Sequence, residues 1–399
     1  MKPTNTIAVK TKDLVCALNA ASRTVLSQSV CHNTNLPFTF SAIVFQVKSS
    51  FMMNVIASNY RMHTTTRVQI TDGKGPCRRF AIMAEDFLPV VRRLEGEELT
   101  IEVFEYQAIF RHTYGSFTVP LVTEDLDFLF ERMDRLETRC SDHFLSLENP
   151  FLHSMLKRLC KYTAQDDLRP AMKGICIRRE KGSIHYVASD GHRLMRITKA
   201  DESDAEDSTL LISDDIIKIL RRIVPNMGFT KIDWHESKNE ENPKDRAVCH
   251  VYTGDTDFWF EPTYGKFPDF SKVIPGILPY SMRIRRTMLS RSLDRMSYFC
   301  TVRNIISAKV DKDKITFFGK DKDFNIESTE TLPCEYSGKP FSFGLGIDNM
   351  QQILSSMICR EVVIQSKGDS CSPLVVFPGK QSDRETVTII FMPCSISED

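Results

Sequence analysis

Apolar positions along this chain follow two spacings. In six places they recur three and four residues apart, the period of a helix with one buried face. The first stretch begins near Thr11, with Leu14, Val15, Leu18 and Ala21 on one side. The second begins near Glu85 and carries Phe87, Leu88, Val91 and Leu94; Pro89 suits only a late start or a first-turn position. The third has Asn149 as N-cap and Pro150 at the first helical position, with Phe151, Leu152, Met155, Leu156 and Leu159 as its face. The fourth starts at Ser213 (Ile216, Ile217, Leu220, Ile223), the fifth near Thr287 (Leu289, Leu293, Met296, with Phe299 at its end), and the sixth at Asp348 (Met350, Ile353, Leu354, Met357). Between them lie runs with strand character at 42–47, 66–70, 99–104, 117–122, 174–177, 184–188, 248–252, 314–318, 361–365 and 386–392.

The helix starts repeat. The odd-numbered ones fall near positions 11, 149 and 287, and the even-numbered ones near 85, 213 and 348. Each third of the chain therefore reads helix, strands, helix, strands. Two helices over one sheet is an α+β layering, and three copies are expected at 1–135, 136–279 and 280–399. Polar stretches separate the periodic segments. Residues 123–142 form an acidic linker with room for a short helix, 201–207 hold five acids in seven residues, and 236–246 form another polar loop. Pro268, Pro275 and Pro279 give 264–280 the character of an extended interdomain crossing.

Composition narrows the class without naming a function. The 42% hydrophobic and 26% charged residues are those of a folded, soluble protein. No apolar run is long enough to span a bilayer, and the opening MKPTNTIAVKTKDL lacks a signal-peptide core, so a cytoplasmic protein is expected. Twelve cysteines stand singly, which suits small reduced core residues. The pairs Cys31-His32 and Cys249-His250 lack the further ligands of a tetrahedral site, so neither metal nor cofactor is expected.

Formal net charge is zero, yet the charge is unevenly placed. Cations gather on or beside the helical stretches: Arg23, Lys157, Arg158, Lys161, Lys218, Arg221, Arg222, Arg291 and Arg295. The acids gather in loops. Basic helices offset by acidic loops suggest one positive surface that attracts phosphates through a sequence-independent term. The competing reading is ordinary solvated helix faces with C-terminal bases matched to the dipole.

The most distinctive residues sit in the middle third. Lys161-Tyr162-Thr163-Ala164 and Arg169-Pro170-Ala171-Met172-Lys173-Gly174-Ile175 precede Val187-Ala188-Ser189-Asp190-Gly191-His192-Arg193-Leu194. Further on come Tyr264-Gly265-Lys266-Phe267-Pro268-Asp269-Phe270, then Val273-Ile274-Pro275, then Ser372-Pro373-Leu374-Val375-Val376 and Ile390-Phe391-Met392-Pro393. In order and spacing these resemble the DNA polymerase III beta subunit family, the bacterial-type DNA sliding clamps, along the whole chain. The resemblance implies three repeated clamp domains and a head-to-tail homodimeric ring, with helices lining a hole for duplex DNA and sheets outside. It implies a processivity factor that tethers the replicative polymerase and clamp-loader subunits through their short peptide motifs.

Carried over by motif, the implied peptide pocket comprises Met172, Ser189, Gly191, His192, Arg193, Leu194, Pro268, Lys272, Val273, Ile390, Phe391, Met392 and Pro393. Its methionines suit varied ligands. The implied subunit joint sets Phe117 and Val119 against Tyr298 and Phe299, with Glu327 and Glu330 as acidic partners. Two departures stand out. The chain runs on past Pro393 as Cys394-Ser395-Ile396-Ser397-Glu398-Asp399, and Gly344-Leu345-Gly346 with Asn349 replaces two of the family's pocket side chains.

Two other readings remain open. Asp190, His192 and Arg193 could form a base, its orienter and an anion binder. No phosphate loop, GxSxG, HExxH or glycine-rich nucleotide fingerprint accompanies them, and Gly73-Lys74-Gly75 lacks the spacing of a phosphate loop. A ring-less peptide-binding adaptor of the same fold is the other.

Overall fold

The computed structural model describes residues 2–394 except positions 77, 95, 124–125, 128–129, 131–140, 167, 181, 238–246, 264, 301–303, 322–323 and 383. Much of the expected acidic linker with its short helix, most of the 236–246 loop, Tyr264 and the tail after Cys394 lie outside the described residues.

All six periodic stretches are helices. They are α1 (Thr11–Ala21), α3 (Ala84–Val91), α4 (Asn149–Leu159), α5 (Asp214–Ile223), α6 (Arg286–Met296) and α7 (Ile347–Ser356). Between α1 and α3 lies α2 (Gln28–Thr34), which periodicity does not signal because Cys31 is its one buried residue. Ser27 caps it, accepting from the Val30 amide at 3.3 Å. Pro89 sits inside α3, past the first-turn position expected for it. The helix is short, Pro89 faces solvent, and burial of Phe87, Leu88 and Val91 holds the segment in place. Phe299 falls in a separate 3-10 turn, Ser297–Phe299, beyond the end of α6.

The strands complete three copies of one order: strand, helix, four strands, helix, three strands. The first copy is β1 (Asn5–Lys10), α1, β2 (Ala42–Ser49), β3 (Met52–Ser58), β4 (Met62–Lys74), β5 (Arg79–Met83), α3, β6 (Glu98–Val103), β7 (Gln107–His112) and β8 (Gly115–Pro120). The second is β9 (His143–Glu148), α4, β10 (Gly174–Glu180), β11 (Ser183–Ser189), β12 (Arg193–Ala200), β13 (Ser208–Ser213), α5, β14 (Phe229–His235), β15 (Val248–Thr253) and β16 (Thr256–Phe260). The third is β17 (Tyr280–Arg285), α6, β18 (Ile305–Asp311), β19 (Lys314–Asp321), β20 (Ile326–Pro333), β22 (Phe341–Gly346), α7, β23 (Glu361–Ser366), β24 (Leu374–Pro378) and β25 (Glu385–Phe391). The third copy adds one short strand, β21 (Glu335–Ser337), beside β17.

Pairing repeats with the order, and every pair is antiparallel. The four-strand groups run β5-β2-β3-β4, β13-β10-β11-β12 and β22-β18-β19-β20. The remaining strands run β8-β7-β6-β1, β16-β15-β14-β9 and β25-β24-β23-β17. Two seams link successive copies by the same rule. The β4 strand of the first copy pairs with the last strand of the second, β16, from Met62↔Phe260 to Thr66↔Thr256. Likewise β12 pairs with β25, from Arg193↔Phe391 to Lys199↔Glu385. The equivalent strands left over, β20 and β8, are sheet edges.

By packing, the chain divides into two compact units, Met1–His153 with Lys218–Pro262, and Ser154–Ile217 with Thr263–Asp399. The first buries Leu14, Leu18, Phe45, Phe87 and Phe110 in one cluster. The second gathers Met172, Leu194, Phe267, Phe270 and Ile390. Truncating any such residue to alanine costs about 2–5 kcal/mol. The expected crossing at 264–280 is thus partly core: Phe267 and Phe270 are anchored under the sheet. The cysteines also differ from expectation. Of the ten described, all free thiols, only Cys31, Cys176, Cys249 and Cys300 are buried. Among the described residues, no helix is long and apolar enough to cross a membrane.

Candidate peptide-binding site and basic helix faces

The turn between β11 and β12 is built by its own side chains. Gly191 takes φ +89°, where a side chain is strained. Asp190 Oδ1 accepts from the backbone amides of His192 (2.9 Å) and Arg193 (2.7 Å). Its Oδ2 accepts two bonds from the Arg193 guanidinium, at 2.9 and 2.7 Å. The Ser189 hydroxyl donates to the Arg193 carbonyl at 2.9 Å. Asp190 is therefore a turn staple. It holds the His192 amide and the Arg193 side chain, an arrangement that orients no imidazole as a base.

Arg193 links this turn to two other segments. One terminal nitrogen donates to Gln352 Oε1 on α7 at 2.7 Å, and the guanidinium lies 5.5 Å over the Tyr162 ring. Tyr162 is fully buried, shares a 2.8 Å hydrogen bond with Ser356, and has its hydroxyl pKa raised by that burial. Lys161 donates to Ser355 at 2.8 Å, and burial lowers its pKa. Arg169 reaches the Asp190 carbonyl at 3.3 Å. Lys161, Arg169, Asp190, Arg193 and Gln352 line an open groove of about 710 Å³ that also takes in Gln165, Asp166 and His192.

Of the thirteen expected pocket residues, His192 and Arg193 line this groove. Pairing of β12 with β25 brings Arg193 beside Phe391 and Leu194 beside Ile390, although nearly 200 residues separate them in sequence. Met172, Leu194, Ile390 and Phe391 are buried, as is Ser189. Val273 (51% exposed) and Met392 (45%) present apolar surface, with Pro268, Lys272, Gly191 and His192 exposed and Pro393 half-buried. The Met392 amide donates to the His192 carbonyl at 3.0 Å, and Cys394 bridges to Gly344. A Cβ at Gly344 would lie 2.4 Å from the Cys394 carbonyl, so this glycine admits the chain there. Arg169, Asp190 and Gln352 line the groove and fall outside the expected pocket, and Tyr162 lies buried under Arg193. Tyr162, Arg169 and Asp190 stood within the matching motifs; Gln352 carried no signal.

The nine cations fare differently from one another. Lys218, Arg221 and Arg222 are exposed at helical spacing on α5, opposite the buried Ile216, Ile217, Leu220 and Ile223. Lys157, Arg291 and Arg23 are also exposed. Arg158 is drawn inward, donating to Glu385 at 2.9 Å and to the Ser356 carbonyl at 2.8 Å. Arg295 makes a two-pronged bond to Glu330 at 2.7 and 2.6 Å, which holds the Glu330 carboxyl below its ordinary pKa. Both guanidiniums are therefore occupied within the protein.

Four of the six expected joint residues lie on the two edge strands. Phe117 and Val119 are on β8; Val119 is buried, and Phe117 stacks on Phe110 with centroids 4.9 Å apart. Glu327 and Glu330 are on β20, with Glu327 3.8 Å from Lys320. Tyr298 is 78% exposed in the turn after α6, and Phe299 beside it is half-buried.

No family model matches the chain. The beta sliding clamp of Haemophilus influenzae is 20% identical over 371 residues, covering 88% of this chain and 95% of that protein. Among solved structures, the DNA polymerase III beta subunit of Thermotoga maritima superimposes with a TM-score of 0.83 at 17% identity, covering 98% of this chain and all of that one. The sliding clamp of Pseudomonas aeruginosa bound to griselimycin gives the same score, identity and coverage. The chain is thus similar in sequence to the bacterial beta sliding clamps along most of its length, and it has their fold.

Proposed function

We propose that this chain is a DNA sliding clamp, two copies of which close head to tail around duplex DNA. The observation that carries this reading is the unfinished seam. The rule that joins β4 to β16 and β12 to β25 would, applied once more, join β20 of one copy to β8 of another. Edge strands left open invite such pairing, and a heterologous joint that closes gives a ring. Three domains per chain (1–135, 136–279 and 280–399) then make a ring of six, with helices lining the hole and sheets outside.

A ring holds DNA by topology and needs only weak, phosphate-directed contacts inside. The exposed bases of α5 suit that task, and neutral overall charge is no obstacle to it. The groove beside Arg193 and the exposed apolar side chains of Val273 and Met392 suit short peptide motifs of the replicative polymerase and clamp loader. The clamp bound to griselimycin supports a ligand site on this fold. In this reading the protein is a cytoplasmic processivity factor with no chemical step of its own.

Two measurements test the ring. Light scattering should give about twice the 45.7 kDa chain mass. Protein loaded on closed circular DNA should stay bound, and should be lost when the circle is cut. Equal retention on cut and closed DNA overturns topological binding, and a 45.7 kDa particle leaves only a ring-less adaptor.

A further inference from the structure

One face of the β10-β11-β12 sheet changes character along its length. Cys176, Val187 and Leu194 line its apolar end beneath Phe267 and Phe270. Side chains two residues apart share a face, so Arg178, His185 and Arg196 continue that surface. Arg178 stands opposite His185, and Arg196 stands opposite Val187, one diagonal step from His185. The Phe270 ring walls the row, with the Arg178 guanidinium 4.6 Å from its centroid and His185 edge-on at 5.7 Å.

Two of these three bases lie close to a single carboxylate. Glu180 approaches Arg178 at 3.7 Å and His185 at 3.5 Å, both too long for a hydrogen bond. His185 Nδ1 is 2.9 Å from the Thr198 hydroxyl, which leaves Nε2 toward Glu180. Arg196 Nε is buried with no hydrogen-bond partner among the described residues. Leaving such a donor unmet costs about 1–3 kcal/mol. With His185 neutral, two guanidiniums face one carboxylate, an uncompensated positive charge in a half-buried site.

We propose that Arg178, His185 and Arg196 form a binding site for a phosphate-class dianion on the face of this sheet, walled by Phe270. Guanidinium groups match phosphate oxygens in geometry, and a half-buried position strengthens the attraction. Burial, with Arg196 and Arg178 acting against Glu180, lowers the His185 pKa. A bound dianion would favour the imidazolium, so occupancy and protonation of His185 are linked. The site does not depend on the clamp reading.

The test follows the His185 imidazole by NMR in the full chain, in potassium phosphate against potassium chloride at matched ionic strength. Phosphate should move its titration to higher pH by about half a unit or more, roughly a threefold linkage. Arg196→Gln should weaken phosphate binding about tenfold or more, and Glu180→Gln should tighten it. A nucleoside monophosphate run in parallel identifies the source, since the tighter of the two ligands shows whether the phosphoryl group is free or esterified. A His185 titration identical in the two salts overturns the site. If Arg196→Gln does not fold, unchanged phosphate affinity in Glu180→Gln overturns it equally.

Discussion

Arg295 and Glu330 form a two-pronged ion pair between α6 and β20, with donor–acceptor distances of 2.7 and 2.6 Å. A guanidinium held this way offers little to a phosphate. Arg295→Ala should therefore leave the salt dependence of DNA binding almost unchanged. Arg222→Ala, on the exposed face of α5, should reduce the slope of log affinity against log salt by about 0.9 if that arginine meets one phosphate. Equal slope changes for the two variants would refute this division of labour.

Tyr298 is the most exposed of the residues expected at the subunit joint. Because it is 78% exposed, Tyr298→Asp should leave the fold intact while placing an unpaired charge in the joint. Sedimentation should then show a species of 45.7 kDa in place of one about twice that mass. A variant that keeps the mass of the parent protein rules this residue out of the joint.

Asp190 accepts four hydrogen bonds in the β11–β12 turn. Asp190→Ala should lower stability by roughly 1–3 kcal/mol and loosen Arg193 from the groove. Peptide binding should weaken with it, as followed by fluorescence anisotropy, and no reaction should be lost. Undiminished peptide binding would show that the groove tolerates a free Arg193.

Met392 and Cys394 tie the chain's last strand to His192 and Gly344. Deleting residues 392–399 should weaken partner peptides several-fold while leaving the dimer mass unchanged. Full peptide affinity after the deletion would remove this segment from the pocket.

His250 sits between two carboxylates, Asp257 at 2.9 Å and Asp233 at 3.3 Å, and stacks on Trp259. Burial alone would lower its pKa, but the hydrogen bonds with Asp233 and Asp257 outweigh it and raise the value to about 9. A raised value stabilises the fold below the unfolded pKa near 6.5, and that contribution is lost as pH rises through about 9. It is worth roughly 3 kcal/mol. Thermal unfolding should show a loss of stability between about pH 7 and 10 that His250→Gln lacks; a parallel decline in both proteins would contradict it.

The helices and the threefold order were legible in the chain because local periodicity carries them. Leu14, Leu18, Ile216 and Leu220 must lie on one face whatever they pack against. Pro89 was a misleading signal, since an exposed position in a short helix tolerates the lost bond. The motif around Asp190 and Gly191 marked its turn for the same local reason.

Tertiary structure decided which of these parts act together. Leu194 and Ile390 become neighbours only through cross-strand pairing, and Gln352 reaches Arg193 only once α7 is docked. The fate of each cation was likewise hidden. Arg222 and Arg295 look alike in sequence, yet one faces solvent and the other is bound to Glu330. Spacing along a chain fixes the face a side chain occupies; the charge that reaches it depends on a strand folded back from far away.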